Sequence, residues 1–137
     1  MKSIILLLII SVTACSTKAQ PIPEAILGEW VTAGNNGKVN IYKLGNKYYG
    51  KLSWTTTNYK DANNPNPTLR TQNVLGTILL KNFVYNGTNK WQDGTIYDPN
   101  NGKTYSCNLY LKNKNTLEIR GYIGISIFGR TEVWTRL

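Results

Sequence analysis

The chain has 137 residues, with 16 basic against 7 acidic side chains for a formal charge of +9, two cysteines and no histidine. The lack of histidine removes Ser-His-Asp and Cys-His nucleophile systems and the usual ligand for catalytic zinc. The basic side chains are scattered singly, with no run of five like charges. They describe a solvated surface suited to anionic lipid or polysaccharide, and no nucleic-acid partner is expected.

The first element is a leader. Lys2 supplies a positive start and Ile4–Val12 an apolar stretch, which falls short of the ~20 residues needed to span a bilayer. Small residues then precede Cys15, so the segment reads as a removable export signal. Its ending, Val12-Thr13-Ala14-Cys15, resembles a bacterial lipoprotein signal, in which the cysteine becomes the acylated first residue. Several acyl chains anchor stably where one binds only marginally. The alternative is an ordinary secretory signal cut after Thr17-Lys18-Ala19, which leaves a soluble protein. The lipoprotein reading divides the chain into a leader (1–14), a polar tether (15–26) and a single domain (27–137). That domain is expected to be periplasmic, membrane-anchored and a monomer. With Cys15 acylated, Cys107 has no disulfide partner. It alternates with Tyr105, Leu109 and Leu111, the pattern of a buried, inert thiol.

From Gly28 onward, short β-type runs alternate with turn chemistry, and no stretch has the period of an amphipathic helix. The predicted strands are Leu27–Ala33, Lys38–Leu44, Lys47–Trp54, Thr77–Tyr85, Lys90–Asp98, Lys103–Lys112, Thr116–Gly124 and Gly129–Arg136. Between them Asn35-Asn36-Gly37, Gly45-Asn46, Asn86-Gly87 and Asn101-Gly102 tolerate the positive φ that tight hairpins require. Asp93-Gly94 suits a bulge within a strand, or else another turn. Thr77–Phe83 could instead hold a helical turn. Eight hairpin-linked strands predict an all-β, up-and-down antiparallel barrel, because closure removes both edges. A barrel of that size has room for packed side chains or one small ligand. The long connection Thr55–Gly76 is the exception to the hairpin pattern. Its prolines, Pro65 and Pro67, predict an ordered flap serving as a lid.

Several strings together resemble a bacterial family of exported proteins catalogued as domain of unknown function 2147. They are Gly28-Glu29-Trp30, Lys60-Asp61 with Asn64-Pro65, Leu69-Arg70 and Gly94-Thr95-Ile96-Tyr97-Asp98-Pro99. Gly102-Lys103-Thr104-Tyr105, Arg120-Gly121-Tyr122-Ile123-Gly124, Phe128-Gly129-Arg130 and Trp134-Thr135-Arg136 complete the set. The resemblance spans about 28–136 and implies a lipocalin-like barrel in an exported protein, with no established activity to carry over. Many relatives have two cysteines around the second and third strands. Here those neighbourhoods hold Leu44 and Tyr49, so that bridge is absent. Gly-x-Trp at the first strand and an arginine at the end of the last resemble the lipocalin signature. By that analogy Trp30 plugs one end of the barrel and Arg136 lies over its face, with Trp134 alongside. A desolvated contact of this kind is worth ~2 kcal/mol.

The candidate ligand-binding residues are Asp61, Asn64, Arg70, Tyr97, Asp98, Arg120, Tyr122 and Arg130. In the flap, Asp61 is expected to pair with Arg70. The Asp61, Asn64 and Asn66 spacing does not match a calcium loop, and no metal or cofactor is expected. Tyr97-Asp98 sits at a strand end, where a carboxylate beside a phenol could meet a ligand at the barrel mouth. In the last hairpin a turn near Ser126 sets Arg120 against Glu132, Tyr122 against Arg130 and Glu118 against Trp134. Two parities stay open. In one, the apolar face of Leu117, Ile119, Ile123 and Val133 lies inside. In the other, Arg136 points inward and brings Trp134, Glu132, Arg130 and Arg120 with it, a paired lining for a polar or anionic molecule. The expected function is binding of a small molecule or an envelope component. A packed barrel that serves as an envelope interaction protein is the alternative, and a hydrolase using Asp98 and Glu118 stands behind both.

Overall fold

The computed structural model describes residues 10–15, 22–125 and 127–136. Most of the leader and tether therefore lie outside the described residues, while Cys15 is exposed in an irregular stretch. The strands are β1 (Gly28–Val31), β2 (Gly37–Leu44), β3 (Lys47–Thr55), β4 (Ile78–Tyr85), β5 (Lys90–Asp98), β6 (Lys103–Asn113), β7 (Thr116–Tyr122) and β8 (Gly129–Thr135). Each pairs with its chain neighbours, and β8 returns to β1 to close an eight-stranded antiparallel up-and-down barrel. Alternation built these strands as expected. Val39 and Ile41, then Cys107, Leu109 and Leu111, then Leu117 and Ile119 bury one face of their strands. Residues 78–83 are strand and not a helical turn.

Asp93-Gly94 forms the bulge. Asp93 has φ 62, and the β5–β6 register shifts between Trp91 and Gly94. A Cβ on Gly94 would lie 2.4 Å from the ring of Phe83, so glycine lets that buried ring press on the β5 backbone.

The β7–β8 register differs from expectation by one residue. Arg120 faces Thr131, Tyr122 faces Gly129, Glu118 faces Val133, and Glu132 faces Ile119. The connection between the strands is centred between positions 125 and 126, half a position off a turn centred on Ser126, which shifts the pairing by one residue. Because side chains alternate with period two, that single step separates the two arginines. Arg130, Glu132, Trp134 and Arg136 share the inward parity with Leu117 and Ile119. Arg120 and Tyr122 take the outward parity with Val133, which is 44% exposed. Each of the two open parities was thus right about one strand.

One end of the barrel is sealed. Residues 23–26 are not a polar tether but a 3-10 turn, Pro23–Ile26, whose last residue is fully buried in the core. Trp30, also fully buried, donates from Nε1 to the Ile26 carbonyl at 2.8 Å. The Arg136 guanidinium stacks 4.2 Å from the Trp30 ring centroid. Its Nη1 and Nη2 donate to the carbonyls of Leu27 and Ala25, each at 2.7 Å, and its Nε donates to the Lys114 carbonyl at 3.1 Å. Above this floor Tyr48 and Trp91 meet edge to face at 6.3 Å, and Tyr85 lies 4.9 Å from Trp91.

Replacing Arg136 by alanine removes a cation–π contact and leaves backbone acceptors under-satisfied. We expect a loss of about 2–3 kcal/mol, read as a fall in Tm of roughly 10 °C. Arg136→Lys should fall in between, since it keeps the charge and loses the forked donation.

Candidate functional site

The opposite end is open. Four connections ring it: residues 32–36, the long segment 56–77, the tight turn 99–102 and the loop 123–128. Within them the upper half of the barrel holds a cavity of about 910 Å³. Leu52, Val74, Leu79, Ile96, Ile119 and Trp134 form its apolar walls, and Tyr59, Asp98, Asn100, Tyr105, Arg130 and Glu132 bring polar atoms to it. Strand parity explains the set. Ile96 and Asp98 alternate inward along β5, Tyr105 does so above Cys107 on β6, and Glu132 does so above Trp134 on β8.

Glu132 accepts from Arg130 Nη2 at 2.9 Å and from Trp134 Nε1 at 3.4 Å, so this inward carboxylate is held by partners on its own strand. Arg130 itself stands at the rim with its side chain 82% exposed. Asp98 Oδ1 accepts from the Asn100 amide at 2.9 Å, which fixes the turn. The Tyr105 hydroxyl accepts from Asn101 Nδ2 at 2.8 Å. Below them Cys107 is 1% exposed. Burial, and after it the charge of Glu132, push its thiol up to about 12, which keeps it protonated and inert.

The long segment is fastened to the barrel and forms one wall of the mouth. Asn63 Nδ2 donates to the Asn100 carbonyl at 2.9 Å, and the Tyr59 hydroxyl reaches Asn100 Oδ1 at 3.4 Å. The backbones come so close that a Cβ on Gly102, where φ is +72, would fall 1.8 Å from the Asn63 carbonyl oxygen. Asp61, only 4% exposed, accepts from the Tyr97 hydroxyl at 2.6 Å and from Asn64 Nδ2 at 2.8 Å. The expected Asp61–Arg70 pair is not formed. Arg70 instead donates from Nε to the Asn64 carbonyl at 2.7 Å. A buried carboxylate is satisfied by short, well-aligned donors, and a phenol from the adjacent strand meets that need more closely than an exposed guanidinium.

Of the eight predicted ligand residues, Asp98 and Arg130 line the cavity wall and rim, and Tyr97 and Tyr122 border its edge. Asp61, Asn64 and Arg70 brace the long segment outside it. Arg120 points outward and ties down the neighbouring loop, donating to Thr131 Oγ1 at 3.1 Å and to the Ile127 carbonyl at 3.3 Å. Trp30 and Arg136 lie together at the floor, whereas Trp134 belongs to the cavity wall. The alternation that buries Cys107 and Leu109 also points Tyr105 inward, so Tyr105 could have been found from the sequence. Tyr59 and Val74 could not, because they come from the irregular segment. Asp98 and Glu118 do not form a carboxylate pair. Glu118 faces outward near the floor, 3.9 Å from Lys112 Nζ, while Asp98 sits at the mouth.

A sealed floor, a closed eight-stranded meander and an open, partly apolar upper chamber define a lipocalin-like barrel. The chain belongs to the bacterial family described as uncharacterized protein conserved in bacteria (DUF2147), which it matches over residues 28–136. Its fold is similar to that of a protein from the human pathogen Helicobacter pylori that belongs to the lipocalin family. The two are 24% identical, with 82% of each chain covered and a TM-score of 0.75. No curated protein matches the sequence.

Burial, then the hydrogen bond to Asp61, raises the Tyr97 phenol well above its ordinary value of 10. Tyr48 and Tyr59 are raised as well, chiefly by burial. A raised folded-state value means that the unfolded chain loses these protons first. Their stabilisation is therefore complete below pH 10 and declines as pH rises past it. Denaturant titrations from pH 7 to 11 should show that decline, and Tyr97→Phe should make it shallower. At neutral pH the same variant should lose about 1–2 kcal/mol through the unmet Asp61 oxygen.

Proposed function

We propose that this is an exported, lipid-anchored binding protein that takes a small amphipathic molecule, or an envelope component with such a part, into the upper barrel. The observation that carries the reading is the chamber of about 910 Å³, open at one end above a packed aromatic floor. Ligand sites are typically concave and largely apolar, with a few fixed polar groups. Here an apolar body would rest between Ile96, Ile119 and Trp134. Its polar head would reach Asp98, Tyr105 and Tyr59 at the rim. The two inward carboxylates and the single rim guanidinium favour a head rich in hydrogen-bond donors over the anionic head that an inward Arg120 would have suited. A solidly packed barrel would instead support a purely structural role, and the size of the chamber argues against it. Export and anchoring rest on the leader pattern ending at Cys15.

A thermal-shift screen of alkyl amphiphiles on the full-length protein tests the binding, since a ligand that favours the folded state raises Tm. Gly121 supplies the control. A Cβ there would lie 3.5 Å from Ile96 Cγ2 and 3.9 Å from Tyr105 Cβ, both ordinary contacts. Gly121→Leu should thus keep the fold, intrude into the chamber beside Ile96 and weaken binding at least ~tenfold. Unchanged affinity in that variant, or no shift with any amphiphile, would reject the reading. Metabolic labelling with palmitate tests the anchor: label should enter the wild type and disappear in Cys15→Ser. An unlabelled wild type would remove the anchor.

A further inference from the structure

The loop between β7 and β8 exposes its apolar residues. Ile123 is 69% exposed, Ile125 61%, Ile127 73% and Phe128 70%. The loop is held in shape. The Ile123 amide donates to the Phe128 carbonyl at 3.2 Å and the Phe128 amide to the Ile125 carbonyl at 3.0 Å, while Arg120 ties the Ile127 carbonyl to β7. The exposure thus belongs to a hydrogen-bonded tip. At the same end of the barrel Lys60, Arg70 and Lys103 are exposed, as is Arg130 in its pair with Glu132. The acidic groups there are withdrawn, Asp61 being buried and Asp98 and Glu132 turned to the chamber.

We propose that this tip docks the mouth of the barrel onto an anionic lipid surface. An apolar tip at an end of the barrel that also exposes cations matches the two layers of such a surface, a hydrocarbon interior beneath negative headgroups. The four residues expose roughly 500 Å², comparable to the largest apolar patch of a typical monomer, which is often functional. That is less than the ~800 Å² per partner of a stable protein interface. A protruding aliphatic tip needs no complementary pocket in a bilayer. The chain enters the barrel through Pro23–Ile26 at the floor, so docking at the mouth is a contact separate from any N-terminal anchor. Ile123 and Phe128 also border the chamber. On the binding function proposed above, docking would open the chamber towards the lipid. The docking itself does not rest on that function.

The test uses the full chain in a Cys15→Ser background, where the remaining thiol, Cys107, is buried and unreactive. A polarity-sensitive fluorophore is attached either at Ile127→Cys on the tip or at Asn46→Cys in the β2–β3 turn of the floor. Each is mixed with phosphatidylcholine vesicles with and without phosphatidylglycerol. The tip label should shift to the blue and become accessible to lipid-borne quenchers only with the anionic vesicles, and less so in high salt. The floor label should not change. Ile125→Asp, at an exposed position, should leave the fold intact and lower vesicle partition about tenfold or more. The proposal is overturned by an unresponsive tip label, by equal shifts at tip and floor, or by full partition of Ile125→Asp. A tip shift that follows protein concentration without vesicles also overturns it, by assigning the tip to a second copy of the chain.

Discussion

The guanidinium of Arg136 carries the closure of this barrel. β1 is four residues long, and among the described residues it meets β8 in register only at Val31 and Thr135, so the sheet closes along a thin seam. Arg136 reinforces that seam from below. It donates to carbonyls on the segment leading into β1 and to the β6–β7 turn, and it covers Trp30 while doing so. One side chain thereby ties the start of the barrel, its last strand and an intervening turn together. Burial lowers the affinity of the guanidinium for its proton, but a group this basic remains charged and keeps all its donors.

The seal divides the interior. Towards the floor the large aromatic residues Trp30, Tyr48, Phe83 and Trp91 meet with the aliphatic residues of β2, β6 and β7, and almost nothing is exposed. Towards the mouth the inward positions pass to smaller or polar residues: Gly121 on β7, Asp98 on β5 and Glu132 on β8. The chamber exists because bulk runs out at one level on several strands at once. Its rim is fixed in advance, since the long segment is bonded to β5 and to the β5–β6 turn through Tyr97, Asn63 and Gly102. A rim ordered before a ligand arrives lowers the entropy lost on binding.

The strands were legible because both of their signals are local. Alternation every second residue and turn residues that accept positive φ located all eight, and even the Asp93-Gly94 bulge. The Trp30–Arg136 clasp was legible through its resemblance to the lipocalin signature. The orientation of the last hairpin was not, because the apolar loop at 123–128 has no tight-turn signature to fix its centre, and a one-residue error exchanges the two faces. The long segment hid the rest. Whether Asp61 meets Arg70 or Tyr97 depends on a contact across 36 positions, and Tyr59 and Val74 reach the mouth only because that segment folds back on the barrel. Pro23–Ile26 was hidden for a similar reason, since Ile26 is buried by the barrel core that the rest of the chain builds.

The central claim is a chamber that fills from the mouth while the floor stays sealed. Backbone amide NMR of the isotopically labelled protein, titrated with a medium-chain alkyl amphiphile, tests it most directly. Saturable shifts should gather at Ile96, Tyr105, Ile119 and Gly121, with Ile26, Leu111 and Leu117 unmoved. Shifts confined to the outer face, or equal perturbation at floor and mouth, would contradict the account.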